Sequence, residues 1–315
     1  MYFNAAHPGP YNAAVKLKGK HIKGSPFEIS VLQKLRYKAM HKPVLTFGSE
    51  GSADGQLSSP FAVCTNDRGD FLVADSRNHR IQVFDSRGRF LFKFGTKGPG
   101  RGQLNTPCGL AIDLARGRIL VADAGNNRIQ IFDSKGSPVS AVGTKGSEEG
   151  QFDRPWSVAV DEVGNFAVAD FDNHRIQVFN SEGVFLRKFG SAADGAGDGK
   201  LKRPISVAIL SSGHFVVAEN GGSRMQIFDG LGNCVRLIGI GQVKKPWHLC
   251  VDDDDRILVC DYSNNRIQVF DQNGGNLCSF GVGVLSHPTG ICVDKDGRVV
   301  VTVFGNHRVE VFDKT

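Results

Sequence analysis

No stretch of the chain comes near the roughly 18 consecutive apolar residues that a membrane-spanning helix needs, and Met1 is not followed by a charged and then apolar leader. A membrane protein or a secreted one is not expected, and the chain reads as soluble and cytoplasmic. No window repeats apolar residues at the 3.6-residue helical period, which excludes helical bundles and doubly wound folds. The 7 cysteines contain no C-x-x-C pair, so neither a disulfide framework nor a zinc site is expected. Histidines do not gather either: His79, His174 and His307 share one slot of a repeated phrase with Asn127, Ser223 and Asn265, which points to a role in the repeat rather than metal ligation. The Gly-rich "GTKGPGRGQ" recurs as "GTKGSEEGQ" and "GSEGSADGQ", a repeat loop rather than a phosphate cradle. No nucleophile constellation is visible. Catalytic residues, metal and cofactor are all expected to be absent.

What the chain does have is one phrase said six times. "VADSRNHRIQVFD" from Val73 returns from Val121, Val168, Val217, Val259 and Val301, and its arginines (Arg80, Arg128, Arg175, Arg224, Arg266, Arg308) stand 48, 47, 49, 42 and 42 residues apart. That period marks propellers and arrays. Each copy sits in a longer unit: a loop ending in Pro, an apolar run such as "WSVAV", a Gly turn, "FAVAD", then "RIQVF", a second Gly turn and "FLRKF". Alternating Val, Ile and Phe between Gly, Asp and Asn clusters is the strand-and-turn signature. Four strands per unit and six units predict an all-β, six-bladed β-propeller over residues 43–315. The sixth unit ends without its fourth strand, and "KPVLTFG" at 42–48 supplies it, closing the ring.

The unit "G-x-G-Q-F/L-x-x-P-x-x-V-x-V-D... V-A-D-x-x-N-x-R-I-Q-V-F" resembles the NHL repeat of the TRIM-NHL proteins. Upstream, "GPYNAAVKLKGKHIKGSPFEISVL" resembles the last two strands of a filamin-type immunoglobulin-like repeat. Residues 1–33 are therefore expected to be the C-terminal fragment of such a repeat, which needs roughly 100 residues to be whole, and 34–42 a basic linker.

Charge is unevenly placed. Residues 1–42 hold eight lysines and arginines against Glu28 alone, a net of +7 that leaves about −1 for the rest of a chain whose net charge is +6. Within the propeller, strand alternation puts the Pro-terminated connecting loops and the "AD-x-x-N" loops on one face, here called upper, and the two Gly turns on the other. The lower turns carry 17 acidic and 10 basic residues, a net of −7, and the upper loops about +2. A polyanion would choose the upper face.

Two sets of residues vary inside the repeated frame. Phe61, Cys108, Trp156, Ile205, Trp247 and Thr289 follow the unit's Pro at the upper mouth of the axial channel, with His248 after Trp247; Phe171, Tyr262 and Phe304 follow "AD" or its equivalent. Exposed aromatics beside lysines and arginines suit unpaired bases and RNA loops. The structural alternative is that Trp156 and Trp247 plug the channel and Phe171 packs on a neighbouring blade. The arginines of "N-x-R" follow an acid by five residues in five units (Asp75, Asp123, Asp170, Glu219, Asp261) and read as structural ion pairs; in the sixth, Val303 takes the acid's place and Arg308 has no such partner.

Within the TRIM-NHL proteins, the pairing of a filamin-type domain with an NHL propeller resembles both developmental RNA repressors and neuronal ubiquitin ligases. The near-unbroken "RIQVF" phrase and the aromatic, basic upper face look more like the first. That resemblance implies an upper face that binds mRNA hairpins, probing shape and phosphates, and represses those messages with recruited silencing or decay factors; DNA and membrane partners are not implied. Arg77, Arg101, Lys145, Arg154, Lys200, Lys202, Arg203, Lys244 and Lys245 would hold phosphates, and Trp156, Phe171, Trp247, His248, Tyr262 and Phe304 would line sugar or base. Glu148, Glu149, Asp172 and Asp198 put acid on the same face. The other reading is a protein-interaction propeller that presents partners to a TRIM-type ubiquitin ligase, whose activity would need a RING domain outside this sequence.

Overall fold

The computed structural model describes residues 42–190 and 197–313, Tyr37 and Met40, and upstream of these the backbone of four short strands. The strands are β1 (Gly9–Ala13), β2 (Lys16–Leu17), β3 (Lys20–His21) and β4 (Phe27–Val31). β1 pairs antiparallel with β4, and β2 with β3. The filamin-type reading of 1–33 and the course of most of the linker fall outside the described residues.

The rest is a ring of six four-stranded antiparallel sheets. Blade 1 consists of β6 (Pro60–Thr65), β7 (Phe71–Asp75), β8 (Arg80–Phe84) and β9 (Phe90–Phe94); the strands of blades 2 to 6 follow in the same order, innermost first. β5 (Leu45–Phe47) closes the ring as the outer strand of blade 6, with Val309 opposite Phe47 and Val311 opposite Leu45. Second strands such as Phe71–Asp75, Phe166–Asp170 and Phe215–Glu219 are buried along their whole length, because both of their faces pack on neighbouring blades. Outer strands alternate half-buried and exposed residues, as in Phe90–Phe94, where only Phe94 is buried. The core therefore lies between blades: Leu72, Val83 and Phe94 of blade 1 cluster with Leu110, Ile119 and Val121 of blade 2. The phenylalanine that ends each "RIQVF" (Phe84, Phe132, Phe179, Phe228, Phe270, Phe312) is at most 1% exposed, a burial of about 1.5–3 kcal/mol for each ring.

The repeated polar residues hold the upper loops to this core. In blade 1 the buried Asp75 carboxylate accepts hydrogen bonds from Arg80 Nε at 2.7 Å, Gln82 Nε2 at 3.1 Å, Asn78 Nδ2 and the backbone N–H of Ser58. Arg80 then donates to the carbonyls of Ser52, Ala53 and Gln56 in the connecting loop. The acid–arginine pair recurs at 2.8–2.9 Å in blades 2 to 5. In blade 6, where Val303 takes the place of that acid, Arg308 finds a different partner. There Glu310 replaces the repeat's glutamine, fully buried, and meets Arg308 Nε at 2.6 Å in an ion pair, while Thr46 of β5 donates to its other oxygen. The acid has moved from the second strand to the third, and in doing so ties the closing strand.

Candidate nucleic-acid interface

The upper face is built on a latch between blades. The residue before each unit's Pro (Ser59, Thr106, Arg154, Arg203, Lys245, His287) has φ of 50–55°, the left-handed region, and its backbone N–H points at the preceding blade. There it is received by the variable slot of the repeat: Nδ1 of His307, His79 and His174 at 3.1 Å, Oδ1 of Asn127 and Asn265, and Oγ of Ser223. Histidine, asparagine and serine share the slot because each offers a short-range acceptor. These latched residues form a ring round the axial mouth, and four of its six members are Arg154, Arg203, Lys245 and His287.

Inside that ring lies a plate of aromatic side chains in mutual contact. Phe61 lies 5.5 Å from Trp156, 5.8 Å from Trp247 and 5.8 Å from Phe304, ring centre to ring centre. Trp156 and Trp247 meet edge to face at 5.6 Å, and Trp247 stacks on Tyr262 at 4.8 Å. Phe61, Trp156, Trp247, Tyr262 and Phe304 are all half-buried. The rings thus do both things considered from the sequence: they close the channel, and they present partial faces to solvent. Burial raises the Tyr262 hydroxyl above its usual range.

Two of the sequence-derived contacts are corrected. Phe171 is only 7% exposed; Trp156 packs on it at 5.4 Å, and the guanidinium groups of Arg154 and Arg203 lie 5.2 and 5.7 Å from its centre. It is the foundation of the plate, with no open face for a base. His248 is also 7% exposed, because its side chain turns into the channel beneath the plate with the small residues Cys64, Ala111, Ala159, Ala208, Cys250 and Cys292.

Burial pushes His248 down to about 4, against a weaker opposing contribution from the Cys108 carbonyl. Its folded value lies below the ordinary 6.5, so stability is complete above pH 6.5 and drains away as pH falls toward 4. Roughly 3 kcal/mol should be lost over that window. Urea unfolding across the pH range should show this decline flattened in His248→Ser, the residue found at the same place in Ser157 and Ser206; an equal decline in both proteins would refute the assignment. His79 acts in the same direction, lowered by burial and then by Lys97. The thiols of Cys64, Cys250 and Cys292 are raised by burial, Cys64 to about 12, and are kept as thiols.

The cations separate into those that are exposed and unpaired and those that are not. Lys202, Lys244 and Lys245 are exposed, in blades 4 and 5, and no acid stands within ion-pair distance of them among the described residues; the same holds for Arg77 in blade 1 and Lys145. Arg154 is different. Its guanidinium is hydrogen-bonded to Asp172, the first cause of its raised basicity, and Arg203 lies 3.9 Å from that carboxylate. Arg101 is turned to the perimeter, where it donates to the Pro138 carbonyl on the outer strand of blade 2. The carbonyl of Lys200 accepts from Arg224 and Gln226, so its backbone is part of the loop tie. Blade 3 is thus neutralised, Arg101 is not brought to the mouth, and the open positive sector is Lys202, Lys244 and Lys245, with Arg203 at its edge shared with Asp172. Two members of the site were not among the contacts proposed from the sequence: Phe61, placed at the mouth there and central to the plate here, and His287, which packs on Tyr262 at 4.7 Å. The signal existed, since both occupy fixed places next to the unit's Pro.

The Gly-rich loops are not anion nests. The N–H of Gly98 bonds the Leu104 carbonyl, that of Gly100 the Gln103 side chain and that of Gly102 the Gln130 side chain. Donors that would cradle a phosphate are already used. Among the described residues no group of three His, Cys, Asp or Glu side chains is placed to hold a metal, and no helix is long and apolar enough to cross a membrane.

Comparison with solved structures shows the same fold in a gluconolactonase from Xanthomonas campestris (TM-score 0.64, 14% identity, 82% of this chain and 87% of that one). A virginiamycin B lyase from Staphylococcus aureus matches 99% of this chain and 98% of its own at a TM-score of 0.60 and 14% identity. At such identities the likeness concerns fold alone. Sequence relatives are nearer: Protein lin-41 of Caenorhabditis elegans is 40% identical over 87 residues, 27% of this chain and 8% of that protein. E3 ubiquitin-protein ligase TRIM71 of Rattus norvegicus is 41% identical over 85 residues, 27% of this chain and 10% of the ligase. Protein brain tumor of Drosophila melanogaster is 46% identical over 66 residues, 21% of this chain and 6% of that protein. These alignments span no more than a tenth of each relative's length. The NHL repeat model matches six times, at residues 57–84, 104–132, 152–179, 201–228, 244–270 and 285–312. With more than half of its residues in those matches, and with these relatives, the chain belongs to the NHL-repeat proteins of the TRIM-NHL family.

Proposed function

We propose that the upper face binds a compact RNA stem-loop, with the aromatic plate under the loop and the blade 4–5 sector on its phosphates. The observation that carries this reading is the juxtaposition of half-buried, solvent-facing Trp247 and Tyr262 with the unpaired Lys245 of the adjoining ring and Lys244 and Lys202 in the loops that lead into it. Bases stack on such rings, and lysines without acid partners release counterions on meeting phosphate. The sector is small and one-sided, since Asp172 cancels Arg154 and reaches Arg203. That suits a folded hairpin better than a long, nonspecific tract. Repression of the bound message, with silencing or decay factors recruited by other parts of a longer protein, is the consequence we infer for the cell.

A second reading has its own observation. The rings are already stacked on one another and the propeller's charge is close to neutral, a surface that a peptide would also suit; the propeller would then present partners to a ubiquitin ligase. Selection from a pool of random-loop RNA hairpins, with linear RNA of the same composition as control, separates the two. We expect enrichment of hairpins over linear RNA at low salt, with binding that weakens as salt rises. No enrichment at low salt would sink the RNA reading and favour the peptide.

A further inference from the structure

On the lower face, one groove between blades is filled by the chain itself. Between blades 5 and 6, Tyr37 and Met40 of the linker are 0% and 1% exposed, buried in a cluster with Leu258, Val269 and Val299 and flanked by Cys278 and Val293. The Tyr37 ring stacks on Phe280 at 6.3 Å and its hydroxyl donates to Asp252 Oδ2 at 2.5 Å. A groove between blades is thus filled by an aromatic residue and a thioether three positions later.

The strand registers place the same groove between blades 1 and 2, position for position. Leu72, Val83 and Phe92 stand where blade 5 has Leu258, Val269 and Cys278, and Ile112 and Ile119 stand where blade 6 has Val293 and Val299. This copy is an open recess of about 200 Å³ with Asn66 and Asp70 at its polar end. Leu114, 63% exposed, stands on its rim. Three other grooves are spanned by arginine: Arg116 donates to Val163 O across blades 2 and 3 at 2.9 Å, Arg187 lies 5.7 Å over Phe215 across blades 3 and 4, and Arg298 lies 5.8 Å over Phe71 across blades 6 and 1. Between blades 1 and 2, Phe92 takes the place of Arg187 and Asp70 that of Arg298, so the floor stays apolar and the end acidic.

We propose that the blade 1–2 groove docks a partner protein's peptide segment carrying a tyrosine with an aliphatic or thioether side chain three residues on, flanked by basic residues. The linker shows the chemistry: Tyr37 and Met40 sit among Arg36, Lys38 and Lys42. Asn66 stands where blade 5 has Asp252, and the Asp70 carboxylate, which accepts from the Asn66 amide at 2.9 Å, is the acceptor at hand for the phenol. The net-negative lower turns favour a basic flank. The occupant binds as a tight turn, as the linker does, where the Met40 N–H bonds the Tyr37 carbonyl at 3.2 Å and brings the ring and the aliphatic chain side by side.

The test adds a fluorescent peptide with the sequence of residues 34–42, "KLRYKAMHK", in trans to the whole 315-residue chain. Saturable 1:1 binding is expected, weakened at least about tenfold by Phe92→Arg, which restores the residue type of blade 3, and by replacing the peptide's tyrosine with alanine. Leu114→Asp, on the exposed rim where folding is not at stake, should weaken it several-fold. The proposal is overturned by absence of binding, by equal binding of the alanine peptide, which would mean charge alone, or by binding that survives Phe92→Arg and Leu114→Asp. Loss in Cys278→Arg instead would locate the peptide at the groove the linker already fills, and overturns it as well.

Discussion

Arg175→Met is expected to lower the unfolding free energy by about 3–5 kcal/mol, the cost of stranding a buried charge. Arg175 is 4% exposed and Asp170 not at all. Removing the guanidinium deletes the 2.8 Å pair with Asp170 and the donors to the carbonyls of Ser147, Glu148 and Gln151. Burial already raises the Asp170 carboxyl, with Asn173, Asp153 N–H and Arg175 opposing it; without the arginine the balance tips further toward protonation. Chemical denaturation with two probes checks the figure. The double variant Asp170→Asn/Arg175→Met should lose less than the sum of the two singles, because the stranded charge is gone. Additive losses would mean that the quartet of acid, asparagine, arginine and glutamine is not one cooperative unit.

Lys244→Glu/Lys245→Glu is the second large effect. Both side chains are exposed at the end of the shortened connecting loop of blade 5, beside Trp247. The backbone N–H groups of Lys244 and Lys245 make the structural bonds, to Asp261 and Ser223, so reversing the side-chain charges should leave the melting temperature within a few degrees. Affinity for an enriched hairpin should nevertheless fall roughly 10- to 100-fold at low salt, two phosphate contacts having been turned into repulsions. The same reversal at Lys295, a lower-face residue already paired with Asp296 at 3.1 Å, should change little.

The architecture was legible because six in-phase copies repeat every local signal: the Pro that starts each inner strand, the Gly turns and the buried phenylalanine. The acid–arginine pairs were legible for the same reason, since a five-residue spacing across a tight turn puts the two side chains on facing strands. Blade 6 was not, because its acid migrated to Glu310 on the next strand, a swap visible only once Val303 and Glu310 are seen to flank the same arginine. The latch roles of His79, His174 and His307 were hidden because the bond crosses between blades to a backbone N–H some 27 residues ahead, or 248 residues back where the ring closes. Site residues divided by direction rather than by type. Sequence position placed Phe171 and His248 at the mouth, and packing turned both inward; it counted Arg154 and Arg101 as free cations, and Asp172 and the Pro138 carbonyl took them. Tyr37 and Met40 lay in a linker read only for its charge.

A salt titration of hairpin binding tests the central claim most directly, with the wild-type chain and Lys244→Glu/Lys245→Glu measured side by side. The account predicts that log affinity falls linearly with log salt for the wild type and that the slope is shallower by about two in the variant. Parallel slopes, or affinities that coincide at every salt concentration, would contradict it and remove the blade 4–5 sector from the RNA site.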